Sequence, residues 1–216
     1  MADPTETCPN CGSKIKSSMM FGNYLLSDLK VKTINIYNDK PAAGYCTKCG
    51  DGLYEQCKDH LVLDVRELTT ELEESIDYVP VLSIQLPQGW EYDVLAIVTG
   101  QSVSGTGVIA EFTSSFSDLF GTQSSTLSGK LRGGEKYCFN QVRKRALDLG
   151  GNAVIGTDID YSEVGSIRGM LLVCMAGTAV RLKNVNILGE DRKDKLKRAV
   201  EVNKKLEDLI ELLPKV

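Results

Sequence analysis

Two matching cysteine motifs near the start of the chain constrain its fold more than any other feature. Cys8-Pro-Asn-Cys11-Gly and Cys46-Thr-Lys-Cys49-Gly are the same unit used twice. Two thiolates separated by two residues can approach one ion from a tight turn, and two such turns complete a tetrahedron. The sequence therefore predicts a zinc-ribbon domain over residues 1–57. Its structural Zn²⁺, one per chain, is expected to be held by Cys8, Cys11, Cys46 and Cys49.

The pairing of the motifs also indicates what kind of site this is. A thioredoxin-type redox site uses a single CxxC in a βαβ context, so two copies favour a metal. Four thiolates leave no open coordination position, which predicts a structural rather than a catalytic ion. The 34 residues between the motifs (12–45) exceed the usual ribbon spacing of about 15–20. We therefore expect a hairpin or short strands there, and Lys30–Tyr37 alternates as a strand would.

Cysteine usage and charge limit the compartment and the partners. Seven cysteines, an odd number, fit a secreted disulfide framework poorly. There is no signal-peptide pattern, and the longest apolar run (170–180) is too short to span a bilayer. A net charge of −4 does not favour binding to nucleic acid. We expect a soluble, cytoplasmic protein without membrane insertion.

The stretch from 58 to 88 is predicted to be an acidic connector helix and linker. Within 61–80, apolar residues recur at helical spacing, and six carboxylates face a single arginine. The apolar stripe consists of Val65, Leu68, Leu72 and Ile76.

Residues 89–190 are expected to form the main α+β domain, with one helix on a small antiparallel sheet. Its predicted strands are Tyr92–Val98, Ala153–Tyr161 and Ile167–Leu182, and its predicted helix is Tyr137–Leu149. The Gly- and Ser-rich stretch 100–134 is interpreted as a packed irregular region or short strands. Because Met170–Val180 is apolar on both faces and one helix covers only one, a neighbouring subunit is expected to cover the other.

Residues 191–216 are predicted to form a C-terminal amphipathic helix. Basic residues open it and acidic residues follow, although positive charge at a helix N-terminus opposes the macrodipole. An acidic partner such as the 61–80 helix, or an oligomer neighbour, would account for this order; a solvated docking helix is the alternative.

Other candidate residues offer weaker chemistry. Cys57 and His60 could be alternative metal ligands, although a lone histidine is usually a surface residue. Cys138 and Cys174 occupy apolar positions where free cysteine is normally a core residue. The carboxylates of Asp158, Asp160 and Glu163 could bind a cation, although solvated loop acids are the plainer interpretation. The stretch 124–131 (SSTLSGKL) lacks the first glycine of a phosphate loop and is rejected.

Several segments of the main domain resemble a known family. Val98-Thr-Gly100-Gln-Ser102, Leu149-Gly-Gly-Asn-Ala-Val-Ile-Gly156 and Ala176-Gly-Thr-Ala-Val180 are similar to the YbjQ-like, or UPF0145, family, which carries a heavy-metal-binding label. The resemblance covers about residues 90–183. It implies a small dodecin-like α+β domain that assembles as a ring, commonly a homopentamer.

These observations lead to three hypotheses of function. The first is a non-enzymatic, ring-forming scaffold whose zinc ribbon binds a protein partner. The second is a metal-handling protein that binds a soft ion through Cys138, Cys174 or Met175. The third is an enzyme with an intersubunit site built from Arg143, Asp158 and Asp160.

Overall fold

The chain has an α+β fold, as expected. The computed structural model describes residues 7–15, 22–104, 127–164 and 170–214, so most of the Gly- and Ser-rich stretch lies outside the described residues. The elements, in order, are α1 (Asp28–Tyr37), α2 (Thr47–Ser75), β1 (Tyr92–Ser104), α3 (Leu127–Asp148), β2 (Ala153–Val164), β3 (Met170–Leu182) and α4 (Glu190–Ile210). The chain divides into two compact units, residues 1–68 with 206–216, and residues 69–205.

The larger unit contains a three-stranded antiparallel sheet in the order β1-β3-β2. The apolar strand β3 lies in the centre, where both of its edges are paired. The three predicted strands are confirmed, and β1 continues beyond Val98 to Ser104. Helix α3 also begins about ten residues before its predicted start.

Helix α3 packs against one face of this sheet. The core between them contains Val98 from β1, Cys138 and Val142 from α3, and Val173 and Met175 from β3. The helix backbone lies close to the sheet at Gly100, where an added Cβ would lie 2.6 Å from the carbonyl oxygen of Cys138. A residue without a side chain is therefore needed at that position.

Among the described residues, the opposite face of the sheet is covered only in part. Trp90 and Tyr92 pack against Ala153, Ile155 and Val180 at one end. Farther along β1, Ile97 is 78% exposed. The outer edge of β2 is paired locally, because the amide of Leu82 donates to the carbonyl of Val154 over 2.9 Å.

In the smaller unit, the strand prediction for Lys30–Tyr37 is wrong, because these residues lie in helix α1. Ile34 is fully buried with Tyr45 and Tyr54, and Val31 packs against the same cluster. Positions 31 and 34 share a face only in a helix, so packing overrides the local strand-like alternation.

The predicted acidic helix belongs to a longer one. Helix α2 begins at Thr47, inside the second cysteine motif, and ends at Ser75, and a short 3-10 turn follows at Ile76–Tyr78. Two members of its predicted apolar stripe, Leu72 and Ile76, are buried.

Helix α4 begins with two acidic residues, Glu190 and Asp191, whose charge agrees with the macrodipole. The basic residues follow directly, beginning with Arg192. The guanidinium of Arg198 pairs with Glu71 of α2, and the ammonium of Lys195 lies 4.6 Å from the centre of the Tyr78 ring. Of the two partners expected for the basic residues, an acidic residue of the 61–80 segment or an oligomer neighbour, the first is therefore observed. No helix in the described part of the chain has the length and apolar character that crossing a membrane requires.

Candidate metal centre

The first cysteine pair lies in a tight turn closed by backbone hydrogen bonds. The amide of Cys8 donates to the carbonyl of Ser13, and the amide of Gly12 donates to the carbonyl of Cys8, each over 2.9 Å. Gly12 has a φ of 69°, a left-handed conformation that residues with a side chain rarely adopt. The glycine after the second cysteine therefore makes this turn possible.

The second pair lies at the start of a helix rather than in a hairpin turn. Cys46 directly precedes α2, and Cys49 and Gly50 belong to its first turn, where both amides donate to the carbonyl of Cys46 over 3.1 and 2.7 Å. An added Cβ at Gly50 would lie 2.6 Å from Leu26 Cδ1. The partial positive charge of a helix N-terminus stabilises thiolates placed there.

The two turns bring all four predicted ligands together. The four Sγ atoms lie within 4.8 Å of one another. The pairs Cys8–Cys49, Cys11–Cys46 and Cys46–Cys49 are each 3.7 Å apart. A tetrahedron with Zn–S bonds of about 2.3 Å has edges of about 3.8 Å. The sulfur positions therefore fit a tetrahedral ion of this size, and the group can hold a metal ion.

Local hydrogen bonds and burial shift the pKa values of Cys11, Cys46 and Cys49 in different directions. The side chain and backbone of Ser13 hydrogen-bond Cys11 and lower its pKa to about 6. Burial raises the pKa of Cys49 to about 11, although the side-chain Nδ2 of Asn10 donates to its sulfur over 3.5 Å. Burial alone would raise the pKa of Cys46, but hydrogen bonds from the Cys49 backbone and the Asn23 side chain outweigh it and lower that pKa.

Two asparagines around the centre were missed by the sequence analysis. Asn10 lies inside the first CxxC motif, so its closeness to the sulfurs could have been anticipated from spacing. Asn23 lies in the long connection between the motifs and hydrogen-bonds residues of both turns. No local sequence signal distinguishes it from other polar residues of that connection.

Cys57 and His60 do not join the four cysteines. Cys57 is buried in helix α2, and its thiol faces the carbonyl of Ile34. His60 is exposed and stacks on Tyr37 with ring centres 5.9 Å apart. Of the Cys, His, Asp and Glu side chains that the structure describes, the four cysteines form the group close enough to share an ion.

The soft-ligand candidates of the larger unit point to different sides of the sheet. The thiol of Cys138 donates to the carbonyl of Val173 inside the α3 core, where Met175 is also buried. Burial raises the pKa of Cys138 to about 12. Cys174 lies between Val173 and Met175 on β3, and successive strand residues point to opposite faces. Cys138 and Cys174 of one chain therefore do not face a common ion.

The residues of the enzyme hypothesis are also separated within one chain. Arg143 on α3 binds the Asp77 carboxylate and donates to the carbonyl of Val79 over 3.1 Å. Asp160 is exposed and opposite Cys174 in the strand register, so it lies on the sheet face away from α3, as does Asp158. The side chain of Glu163 lies outside the described part of the chain.

Comparison with known proteins agrees with this architecture. Residues 81–183 match the family YbjQ_1, described as "Putative heavy-metal-binding". A UPF0145 protein of Clostridium botulinum (strain Alaska E43 / Type E3) is 40% identical over 84 residues, which are 39% of this chain and 79% of the relative. A UPF0145 protein of Geobacillus kaustophilus is 38% identical over 93 residues, 43% of this chain and 86% of the relative. One from Anoxybacillus flavithermus is 37% identical over 90 residues, 41% of this chain and 83% of the relative.

These matches lie in the larger unit, whereas the four cysteines precede the matched range 81–183. The sheet with helix α3 packed on it is thus the part shared with the relatives, and the cysteine centre lies outside that part. Through residues 81–183, the chain belongs to the UPF0145, or YbjQ, family.

Proposed function

We propose that this protein is a non-enzymatic, zinc-binding scaffold in which the YbjQ-like domain assembles copies of the chain into a ring. The observation that carries the metal-binding part is the set of three 3.7 Å sulfur–sulfur distances in one four-cysteine group. Zinc is the ion proposed because four thiolates in a tetrahedral array are its preferred structural ligand set.

The bound ion has a structural role in this proposal. Its four thiolates complete the coordination shell, so no position is left for water or substrate. The ion joins residues 8–11 to the start of helix α2. Binding of the metal therefore contributes directly to the folding of the smaller unit.

Ring assembly is supported by the apolar side chains on the larger unit. Val94 and Ile97 of β1 are 66% and 78% exposed, and Val103 is 40% exposed. Exposed apolar residues grouped on one strand are typical of a surface that another protein covers. We propose a second copy as the cover and, following the family resemblance, a homopentamer.

The zinc-binding unit is proposed to contact a protein partner. Tyr24 and Leu25 are 59% and 43% exposed and lie beside the second cysteine pair, to which Leu25 is joined by a β-bridge with Cys46. The proposed location is the cytoplasm, because none of the seven cysteines forms a disulfide and a reducing compartment would keep them in that state.

Native mass spectrometry of the full chain tests assembly and metal content together. We expect a closed oligomer of five chains with one zinc ion per chain. A monomer would contradict ring assembly, and a metal-free protein or one that carries iron would contradict the zinc assignment.

A pair of cysteine variants tests the ligand set. Cys46→Ser should lose the metal, because three thiolates remain in a site built for four. Cys57→Ser is the matched control, since Cys57 is also buried and belongs to the helix that carries the second cysteine pair. Equal metal content in the two variants would show that Cys46 is not a ligand.

A further inference from the structure

The side chain of Asn23 makes hydrogen bonds to both cysteine turns. Its Nδ2 donates to the carbonyl of Lys14, at the end of the first turn, over 3.0 Å. Its Oδ1 accepts from Thr47 Oγ1 over 3.2 Å and from the amide of Lys48 over 3.3 Å. Thr47 and Lys48 are the two residues between Cys46 and Cys49.

The backbone after Asn23 is fixed against the second turn. The amide of Thr47 donates to the carbonyl of Tyr24 over 2.9 Å, and the amide of Leu26 donates to the carbonyl of Tyr45 over 2.8 Å. Residues 24–26 thus run antiparallel to residues 45–47, and the start of this pairing carries Asn23 to both turns.

The side-chain oxygen of Asn23 also accepts a hydrogen bond from the first turn of helix α2. The amide of Lys48 is one of the first amides of a helix, which have no partner within it. An asparagine side chain normally satisfies such an amide from the position directly before the helix. Here the acceptor comes from a residue more than twenty positions earlier in the chain, so it also joins distant segments.

We propose that Asn23 is a positioning residue that holds the two cysteine turns at the spacing a bound metal ion requires. Two of the short sulfur distances, Cys8–Cys49 and Cys11–Cys46, run from one turn to the other. These two distances depend on how the turns are placed relative to each other, and Asn23 bonds to both. This inference rests on the proposed metal binding and adds a residue that does not touch the ion.

The test compares Asn23→Ala with Asn35→Ala in the full chain. Asn35 also makes three side-chain hydrogen bonds within the smaller unit, to the amide and carbonyl of Ala42 and to the hydroxyl of Tyr45. None of the three is with a residue of either cysteine motif, although Tyr45 directly precedes Cys46. Each variant therefore removes at least three hydrogen bonds from the same unit, but only those of Asn23 link the two cysteine turns.

Zinc affinity is measured by competition with a chromophoric chelator, and zinc release by the rate of transfer to excess chelator. Loss of a residue that orients metal ligands typically costs about 10–100-fold in affinity. We expect a loss of this size, with faster release, for Asn23→Ala, and a change of less than about threefold for Asn35→Ala. Circular dichroism of the zinc-loaded variants checks that their helix content is unchanged.

The variant Asn23→Asp distinguishes a side chain that links the two cysteine turns from one that only caps helix α2. Aspartate and asparagine are about equally good at accepting from a helix N-terminus, but aspartate has no donor for the carbonyl of Lys14. If the link to Lys14 matters, Asn23→Asp should bind zinc more weakly than the wild type. The affinity is measured at about 0.5 M salt to screen the added charge. This variant keeps the helix cap, so it also serves if Asn23→Ala does not fold.

Three outcomes have distinct meanings. Wild-type protein that binds no zinc would defeat the proposed function itself. Zinc-binding wild type with equal losses for Asn23→Ala and Asn35→Ala would overturn the positioning role. Wild-type affinity and release rate in Asn23→Asp would overturn it as well, because only the helix cap would then matter.

Discussion

Replacement of Gly100 by alanine should loosen the packing between helix α3 and the sheet. An added Cβ would lie 2.6, 3.0 and 3.1 Å from the carbonyl oxygen, Cα and carbonyl carbon of Cys138. All three are backbone atoms, which cannot rotate away as a side chain can. Since favourable contacts between carbon atoms begin at about 3.5 Å, the helix backbone must retreat by roughly 0.5–1 Å.

The size of the effect follows from what this displacement does to the core. A gap of about 0.5–1 Å removes a quarter to a half of the attraction between the facing atoms, which here include Val98, Val142 and Val173. Overpacked substitutions of this kind cost about 1–3 kcal/mol. Without the clash, Gly→Ala in a strand would raise the free energy of unfolding by about 0.5–1 kcal/mol. Any decrease in that free energy is therefore due to the clash.

Urea unfolding monitored by tryptophan fluorescence measures this free energy. Trp90 is the sole tryptophan of the chain and packs on the other face of the same sheet. Gly134→Ala is the matched control, because Gly134 is in α3 and its added Cβ would meet the side chains of Val173, at 3.0 Å, and Ser102, at 3.3 Å. Both side chains can adjust, and alanine favours the helix by about 1 kcal/mol. The reasoning is refuted if Gly100→Ala is no more destabilising than Gly134→Ala.

Three further predictions concern other parts of the larger unit. Cys138 is fully buried and its pKa is about 12, so only about one thiol in ten thousand is ionised at pH 8. It should therefore resist iodoacetamide in the folded protein and react in guanidinium, whereas rapid labelling of the native chain would show that the core opens. The partly exposed ion pair Arg198–Glu71 should have a coupling energy of about 0.2–1 kcal/mol in a double-mutant cycle, and this energy should fall at about 0.5 M salt. A larger coupling energy that does not depend on salt would contradict a surface interaction. Asn203→Leu should change the free energy of unfolding by less than about 1 kcal/mol in urea, because it removes a buried Oδ1 without a partner among the described residues and also the hydrogen bond from Nδ2 to Asp148; destabilisation by more than about 2 kcal/mol would argue against that reasoning.

The predictions that succeeded rest on signals contained within short segments. The spacing of Cys8, Cys11, Cys46 and Cys49 predicted two cysteine turns, and the structure brings their four sulfur atoms into one group that can hold a metal ion. Runs such as Tyr92–Val98 and Ala153–Tyr161 are rich in branched apolar residues, and each lies within an observed strand. Element ends were less accurate, because nothing local stops β1 at Val98 or starts α3 at Tyr137.

The strand prediction for Lys30–Tyr37 failed for a physical reason. Its alternation of polar and apolar residues fits a strand, while Val31 and Ile34 also share one face of a helix. The helix forms rather than the strand because Tyr45 and Tyr54 form a core against which that helical face is buried. A single segment does not contain the information about which surface will cover it.

The sequence by itself determined which side chains can bind a metal ion, namely four cysteines in two matching CxxCG motifs, and it contains the motifs that place residues 81–183 in the UPF0145 family. Only the tertiary structure decided how those turns meet. It placed the second pair at the start of helix α2, closed the sulfur–sulfur distances to 3.7 Å, and brought Asn23 to both turns. The reason is that ligand type and turn formation are local properties of a chain. The distance between two turns separated by 34 residues depends on everything that packs between them.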